Sequence, residues 1–265
     1  MLSVEKQILY LMSRTDEMSA DELISIYQKR QYSDQYIRNV LFSLKKQGYI
    51  ESPKRSSYRI RASGREYVRA INQKPLLYNR EWDGTWYALL FNIPEKDRRK
   101  RNQLRSRMSQ TGFGLLYPNV FVSPWNHKKE VEEFIQQLEI TGYVSLLYGQ
   151  MLLGGVAKEK VPQLWELDKL ARVYEEKRRW FQDEFLIEAE PLSAKSDAEI
   201  FNYFLTVGEV IAELYLLDPM LPKSLLPDHW QGARILLELQ QYLNRISVHF
   251  SPSSAYYRFM DFSNA

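Results

Sequence analysis

The sequence predicts an α+β protein of more than one domain, on three observations. The chain has 265 residues, more than the roughly 100–200 of a single domain. Apolar residues recur at helical spacing in the first and last thirds, whereas the middle third alternates strand-like runs with helices. The composition is globular, with 45% hydrophobic, 26% charged and 14% aromatic residues, which argues against a disordered or collagen-like chain.

In the first third, Val4, Ile8, Leu11 and Met12 predict a helix over 3–13. Ser19 and Glu22 make a capping-box pattern that opens a second helix with Leu23, Ile26 and Tyr27 inward. Ser33 is the expected N-cap of a third helix, in which Ile37, Val40, Leu41 and Leu44 form the apolar stripe and Gly48 ends it. Two short extended pieces, 49–52 and 58–60, flank the polar turn from Pro53 to Ser57. Ser63 and Glu66 repeat the capping-box pattern ahead of a helix to about residue 71. Three short helices and a polar hairpin are the order of a winged helix-turn-helix, expected over 1–75.

Turning the stripe of the third helix inward leaves Gln35, Asn39, Phe42 and Lys46 outward, with Arg38 beside them. Gln and Asn can bond adenine bidentately, and Arg can bond guanine, in a groove wide enough for a helix. Lys54 and Arg55 fall at the hairpin tip, placed for phosphates or the minor groove. Charge points the same way. Residues 1–80 hold 15 basic and 8 acidic residues, a surplus of seven, whereas the rest of the chain carries a surplus of four acidic ones. A basic module on an acidic body implies a polyanion partner for the first third, here double-stranded DNA. A merely solvated helix face would leave the helix order, the basic turn and the local charge to coincidence.

The pattern breaks at Asn72-Gln73-Lys74-Pro75, and a second domain is expected over 82–157. Residues 86–93, WYALLFNI, read as a strand buried on both faces. Pro94 opens a helix ending at Gly112. Two short strands at 115–117 and 120–123 flank Pro118-Asn119, followed by a helix over 130–141 and a strand over 143–152. The order βαββαβ is that of a ferredoxin-like domain. Lys96, Arg98, Arg99, Lys100, Arg101, Arg105 and Arg107 crowd its first helix. They suit phosphates of DNA or of a nucleotide-bearing effector; equally, they suit a solvated helix whose long stems cover apolar surface.

The remaining residues, 158–265, are expected to form a mainly helical domain. One long helix is predicted over 161–185, and a capped one begins after Ser196 and Glu199. Three prolines between Asp218 and Pro227 forbid regular helix there; a last helix runs to about 246, and residues 250–265 read as a loose aromatic tail.

With these residues in hand, the chain resembles the PaaX family, repressors of phenylacetic acid degradation operons. The resemblance rests on Trp82-Asp83-Gly84-x-Trp86, Phe91-x-Ile93-Pro94-Glu95, Gly112-Phe113-Gly114 and Val120-Phe121-Val122-Ser123-Pro124, then Asp218-Pro219-x-Leu221-Pro222, Leu226-Pro227 and Trp230-x-Gly232. It implies a winged-helix N-terminus, a ferredoxin-like middle resembling a CRISPR-associated nuclease, a helical C-terminus and a homodimer on operator DNA. It also implies release by an aromatic acyl-CoA, typically phenylacetyl-CoA. Arg98, Arg99, Arg101 and Arg105 would meet the phosphates of that effector, and the aromatic segments at Trp82–Trp86 and Trp230 its acyl end. Family members commonly carry Asp where this chain has Asn92. A neutral amide is a poor ligand for Mg²⁺, which weakens the alternative reading of a metal-dependent nuclease.

Other chemistries find little support. Cysteine is absent, which excludes disulfides and thiolate sites and agrees with a cytoplasmic home. His127, His229 and His249 have no metal-ligand spacing. No phosphate-loop, dinucleotide or nucleophile-elbow motif occurs, so no catalytic residue, metal or cofactor is expected. No run is expected to approach the roughly 18 apolar residues of a membrane span, and the N-terminus lacks a signal-peptide pattern.

Overall fold

The structure is a computed structural model that describes residues 3–260. In chain order its main elements are α1 (Ser3–Ser13), β1 (Met18–Ser19), α2 (Ala20–Gln28), α3 (Asp34–Lys46), β2 (Ile50–Lys54), β3 (Ser57–Ile60) and α4 (Ala62–Gln73). Then follow β4 (Trp86–Phe91), α5 (Arg98–Thr111), β5 (Gly114–Tyr117), β6 (Val120–Ser123), α6 (Lys128–Gln137) and β7 (Val144–Gly149). The last third holds α7 (Val161–Leu164), α8 (Leu167–Trp180), α9 (Leu186–Ala189), α10 (Asp197–Leu217) and α11 (Gly232–Ser247). The fold is α+β, and all its strand pairs are antiparallel.

Mutual contacts divide the chain into two compact units that do not follow its thirds. Unit 1 comprises 1–74, 175–216 and 233–265; unit 2 comprises 75–174 and 217–232.

In unit 1, α1 to α4 surround a small sheet of order β1-β3-β2. The apolar stripe of α3 is buried as its spacing demands, at Ile37, Val40, Leu41 and Leu44. Ser19 and Ser33 cap α2 and α3 by accepting from the backbone N–H of Glu22 and Tyr36, which satisfies otherwise orphaned donors. The expected cap at Ser63 is absent: α4 starts at Ala62, and the Ser63 hydroxyl donates instead to the Gly48 carbonyl at 2.8 Å.

Helices from the last third complete unit 1. Gln7 is the joint: its amide donates to the Leu205 carbonyl at 2.6 Å, and its oxygen accepts from Tyr27 at 2.9 Å and from Arg30 at 2.8 Å. Arg30 also pairs with Glu209 on α10, which accepts from the Tyr32 hydroxyl at 2.9 Å. Burial, then the Glu209 charge, pushes that hydroxyl up to about 12. The tail is anchored rather than loose. Phe250, Phe259 and Met260 are buried, Tyr256 stacks on Phe201 at 4.3 Å, and Tyr10 donates to the Phe259 carbonyl. The remainder of that expected tail, 261–265, lies outside the described residues.

α10 has 21 residues and contains an 18-residue stretch with a mean hydropathy of 1.4, enough by length and composition to cross a membrane, and 61% of that stretch is buried inside the fold. Ten of its residues face inward, and Glu209 and Glu213 pair with Arg30 and Lys177. It is the central core helix of unit 1. A search for uninterrupted apolar runs passes over it because acidic residues punctuate the stretch.

In unit 2 the sheet order is β5-β6-β4-β7. Its core packs Leu89 and Phe91 of β4 against Leu104 and Met108 of α5, Phe121 of β6, and Val131 and Ile135 of α6. The predicted helix over 161–185 is broken. Trp165 and Glu166 separate α7 from α8, and Glu166 has φ +50°. Tertiary contact decides this: the Trp165 indole donates to the Gly112 carbonyl at 2.9 Å and lies where a Cβ on Gly114 would meet it at 2.7 Å. Only glycine admits that approach.

The proline-rich stretch after α10 is irregular, as three prolines require, and Asp218 organises it. Its buried carboxylate accepts from the Tyr78 hydroxyl, from the Tyr174 hydroxyl at 2.6 Å and from the Met220 N–H at 2.6 Å. Burial, then the Asp218 charge, pushes both tyrosine hydroxyls far above their ordinary value.

Candidate nucleic-acid interface

The sequence reasoning placed Gln35, Arg38, Asn39, Phe42 and Lys46 on the outward side of the third helix. All five are exposed on α3, and Phe42 is 71% exposed despite its apolar ring. The buried stripe at 37, 40, 41 and 44 forces this: with 3.6 residues per turn, 35, 38, 39, 42 and 46 take the opposite face. Gln35 donates to the Asn39 carbonyl oxygen at 2.8 Å, which holds the two amides as one hydrogen-bonding pair. Arg38 reaches Asp21 at 3.2 Å in a well-solvated ion pair, worth little in water and open to exchange. Lys46 has no ion pair among the described residues.

The hairpin places the remaining two residues. β2 is an edge strand, and Pro53 falls in the register irregularity between Glu51 and Lys54, the kind of position where proline is tolerated. Lys54 pairs with Ser57 across a two-residue turn, so Arg55 and Ser56 form the tip and both are exposed. Glu17 holds the hairpin next to its tip by accepting from Ser57 and by lying 3.0 Å from Lys54 and 3.7 Å from Arg59. The Ser57 hydrogen bond, then Lys54, keeps its carboxyl below the usual range. Arg55 has no ion pair among the described residues.

Together these groups offer paired amides, an exposed aromatic ring, a loosely held guanidinium and an amine on a single helix face, with a second basic point on the hairpin. Amides and guanidinium suit base edges, an exposed apolar group suits a thymine methyl, and lysines suit phosphates. Nothing in the arrangement resembles a nucleophile with its base.

The cations expected to meet an effector lie on α5. Glu95 sits 3.8 Å from Arg98 and 2.9 Å from Arg101, and Arg105 donates to the Pro118 carbonyl at 3.3 Å. Lys100 reaches Glu139, and the Arg107 guanidinium lies over the Phe134 ring. Arg99 is exposed and without an ion pair among the described residues. The structure does not show Trp230 in contact with these cations. Trp230 is half-buried, its indole donating to the Tyr78 hydroxyl at 3.4 Å and meeting the Tyr174 ring edge-on. Trp86 is buried between Trp82 and Trp165.

One group escaped the sequence reasoning. Glu5, Lys6 and Gln7 are all buried on α1. Three consecutive polar residues carry no periodic signal, so only tertiary contacts identify them as interior: Glu5 meets Ser43 of α3, and Lys6 and Gln7 meet Tyr215 and Leu205 of α10.

Comparison with known proteins follows the same segments. Residues 79–161 match the family profile described as the PaaX protein central Cas2-like domain, and residues 165–253 the one described as the PaaX-like protein C-terminal domain. The chain is 24% identical over 231 residues to the transcriptional repressor PaaX of Escherichia coli K12, covering 84% of this chain and 72% of the relative. An uncharacterized protein from Mycobacterium tuberculosis shares the fold with a TM-score of 0.54 at 19% identity, over 93% of this chain and 96% of the other.

Proposed function

Since this chain belongs to the PaaX family, we propose that it is a DNA-binding transcriptional repressor of an aromatic-acid operon, that of phenylacetate breakdown. The outward face of α3 carries the reading: Gln35, Arg38, Asn39, Phe42 and Lys46 are exposed together opposite a fully buried stripe. The curated relative bears the name of a repressor, which supports the same class.

On this reading 1–75 is a winged helix-turn-helix in which α3 enters the major groove and Lys54 and Arg55 reach the backbone. Residues 82–157 are the ferredoxin-like domain, supported by helices after β4 and β6 and by the order β5-β6-β4-β7. Residues 158–265 are the helical region. The protein works in the cytoplasm as a homodimer on an inverted repeat, because one winged helix offers only about 600–1,000 Å² of interface. Edge strand β7, with Leu147 and Tyr148 exposed, is a surface on which two copies could pair.

Release follows binding of an aromatic acyl-CoA, of which phenylacetyl-CoA is the type. Among the residues assigned to it, Arg99 best supports a phosphate contact, since Arg98 and Arg101 already face Glu95. The family profile's description of the middle domain is the one observation that favours a metal-dependent nuclease. The residues there do not fit a divalent metal. Asn92 directly follows β4, Asn119 and Ser145 share its depression, and no group of three or more His, Asp or Glu residues is poised for an ion among the described residues.

Selection of bound fragments from random DNA by the full-length protein tests the proposal. An inverted repeat protected without cleavage, in a salt-dependent manner, is expected. Mg²⁺-dependent cutting of the same fragments would replace the repressor by the nuclease.

A further inference from the structure

Unit 1 encloses a cavity of about 400 Å³ between α1, α4, α10 and α11. That is the size of a small-molecule pocket. Phe204, Ile211 and Leu237 give it apolar walls, and Gln240 and Asn244 add amides. Among the described residues that line it, Lys6 is the one cation and none is Asp or Glu.

Lys6 is 5% exposed, its ammonium lies 4.3 Å from the centre of the Tyr215 ring, and it has no carboxylate or hydrogen-bond partner among the described residues. Buried charges are ordinarily paired. Burial, then the neighbouring Lys74, holds the Lys6 ammonium well below its ordinary pKa. Lys74 itself donates to the Tyr215 carbonyl at 2.7 Å. Among the described residues the cavity lining offers Lys6 no carboxylate, and an arriving anion would supply one.

We propose that this cavity binds an organic monocarboxylate with an apolar body, its carboxylate on Lys6 and its body against Phe204 and Ile211. The Gln240 amide, which donates to the Tyr215 hydroxyl at 2.6 Å, and the Asn244 amide add polar groups to the same lining. Glu5, the chain neighbour of Lys6, accepts from the Ser43 hydroxyl at 2.8 Å, which ties α1 to α3. That such a ligand would influence DNA binding rests on the proposed function; the binding site itself does not.

Calorimetry on the full chain without DNA, using 3-phenylpropionate and its uncharged amide, separates the two questions. The acid is expected to bind about tenfold more tightly than the amide, about 1.4 kcal/mol, and Lys6→Met to erase the difference. Methionine keeps the length of the stem and removes a buried charge, so the fold should survive. Should that variant not fold, methyl shifts of Ile211 and Leu237 in the wild-type protein, moved by the acid and not by the amide, give the same answer. Acid and amide binding equally, no binding in the millimolar range, or a preference that persists in Lys6→Met would overturn the proposal.

Discussion

α3 and α5 are both charged helices with a buried apolar side, yet their charges have different surroundings. On α5, Arg98 and Arg101 face Glu95, Lys100 reaches Glu139, Arg105 is bonded to a carbonyl and Arg107 lies over a ring. On α3, the polar groups face outward with few partners from the rest of unit 1, and an exposed phenylalanine stands among them. A count of cations favours α5 as the anion site; the contacts favour α3. Charge density shows where anions could come, but the groups left open show what could be recognised.

Substitutions can break or sharpen this contrast. The largest effect belongs to the inner side of α5. Leu104 is fully buried in the unit 2 core, so Leu104→Ala should cost about 2–5 kcal/mol of stability in denaturant unfolding. On α3 the outer side carries the effect instead. Asn39→Ala should leave stability within about 0.5 kcal/mol, weaken specific DNA binding by about 1–3 kcal/mol and relax preference at one base pair. Unchanged affinity and preference would mean that another face enters the groove.

Lys54→Ala should act more weakly and without regard to sequence. Its pairing with Glu17 is exposed and adds little stability. Binding to all DNA should fall alike, and the slope of log affinity against log salt should flatten by about one unit. The smallest effect on DNA is expected for Arg99→Ala, whose affinity for operator should match wild type in a mobility shift. The same variant should bind phenylacetyl-CoA more weakly by about 1 kcal/mol, the scale of a solvated charge-assisted hydrogen bond. A loss of DNA affinity equal to that of Asn39→Ala would place α5 on the DNA and erase the contrast.

The elements were legible in the sequence where local chemistry sets them. The α3 stripe, its Ser33 cap and the glycine that ends α5 each depend on neighbours within a few residues. The expected DNA-facing residues were legible for the same reason, since an outer face is the complement of an inner one. Ser63 misled because its hydroxyl found a distant carbonyl, and the long helix over 161–185 misled because Trp165 left it to pack on Gly114. Periodicity records what a residue prefers locally; it holds no trace of a partner fifty positions away.

The sequence by itself determined the α+β class, the order of the longer helices and strands from α1 to β7, and which face of α3 is polar, because these follow from hydrophobic period and capping chemistry. Only the tertiary structure decided that parts of the last third belong with the first, through Gln7, Arg30 and Glu209, and that the tail is anchored on Phe201. It alone decided that Lys6 is buried beside a cavity rather than solvated. The physical reason is common to all three: burial depends on which distant surfaces meet, and a lysine on a short helix reads identically in sequence whether water or another helix covers it.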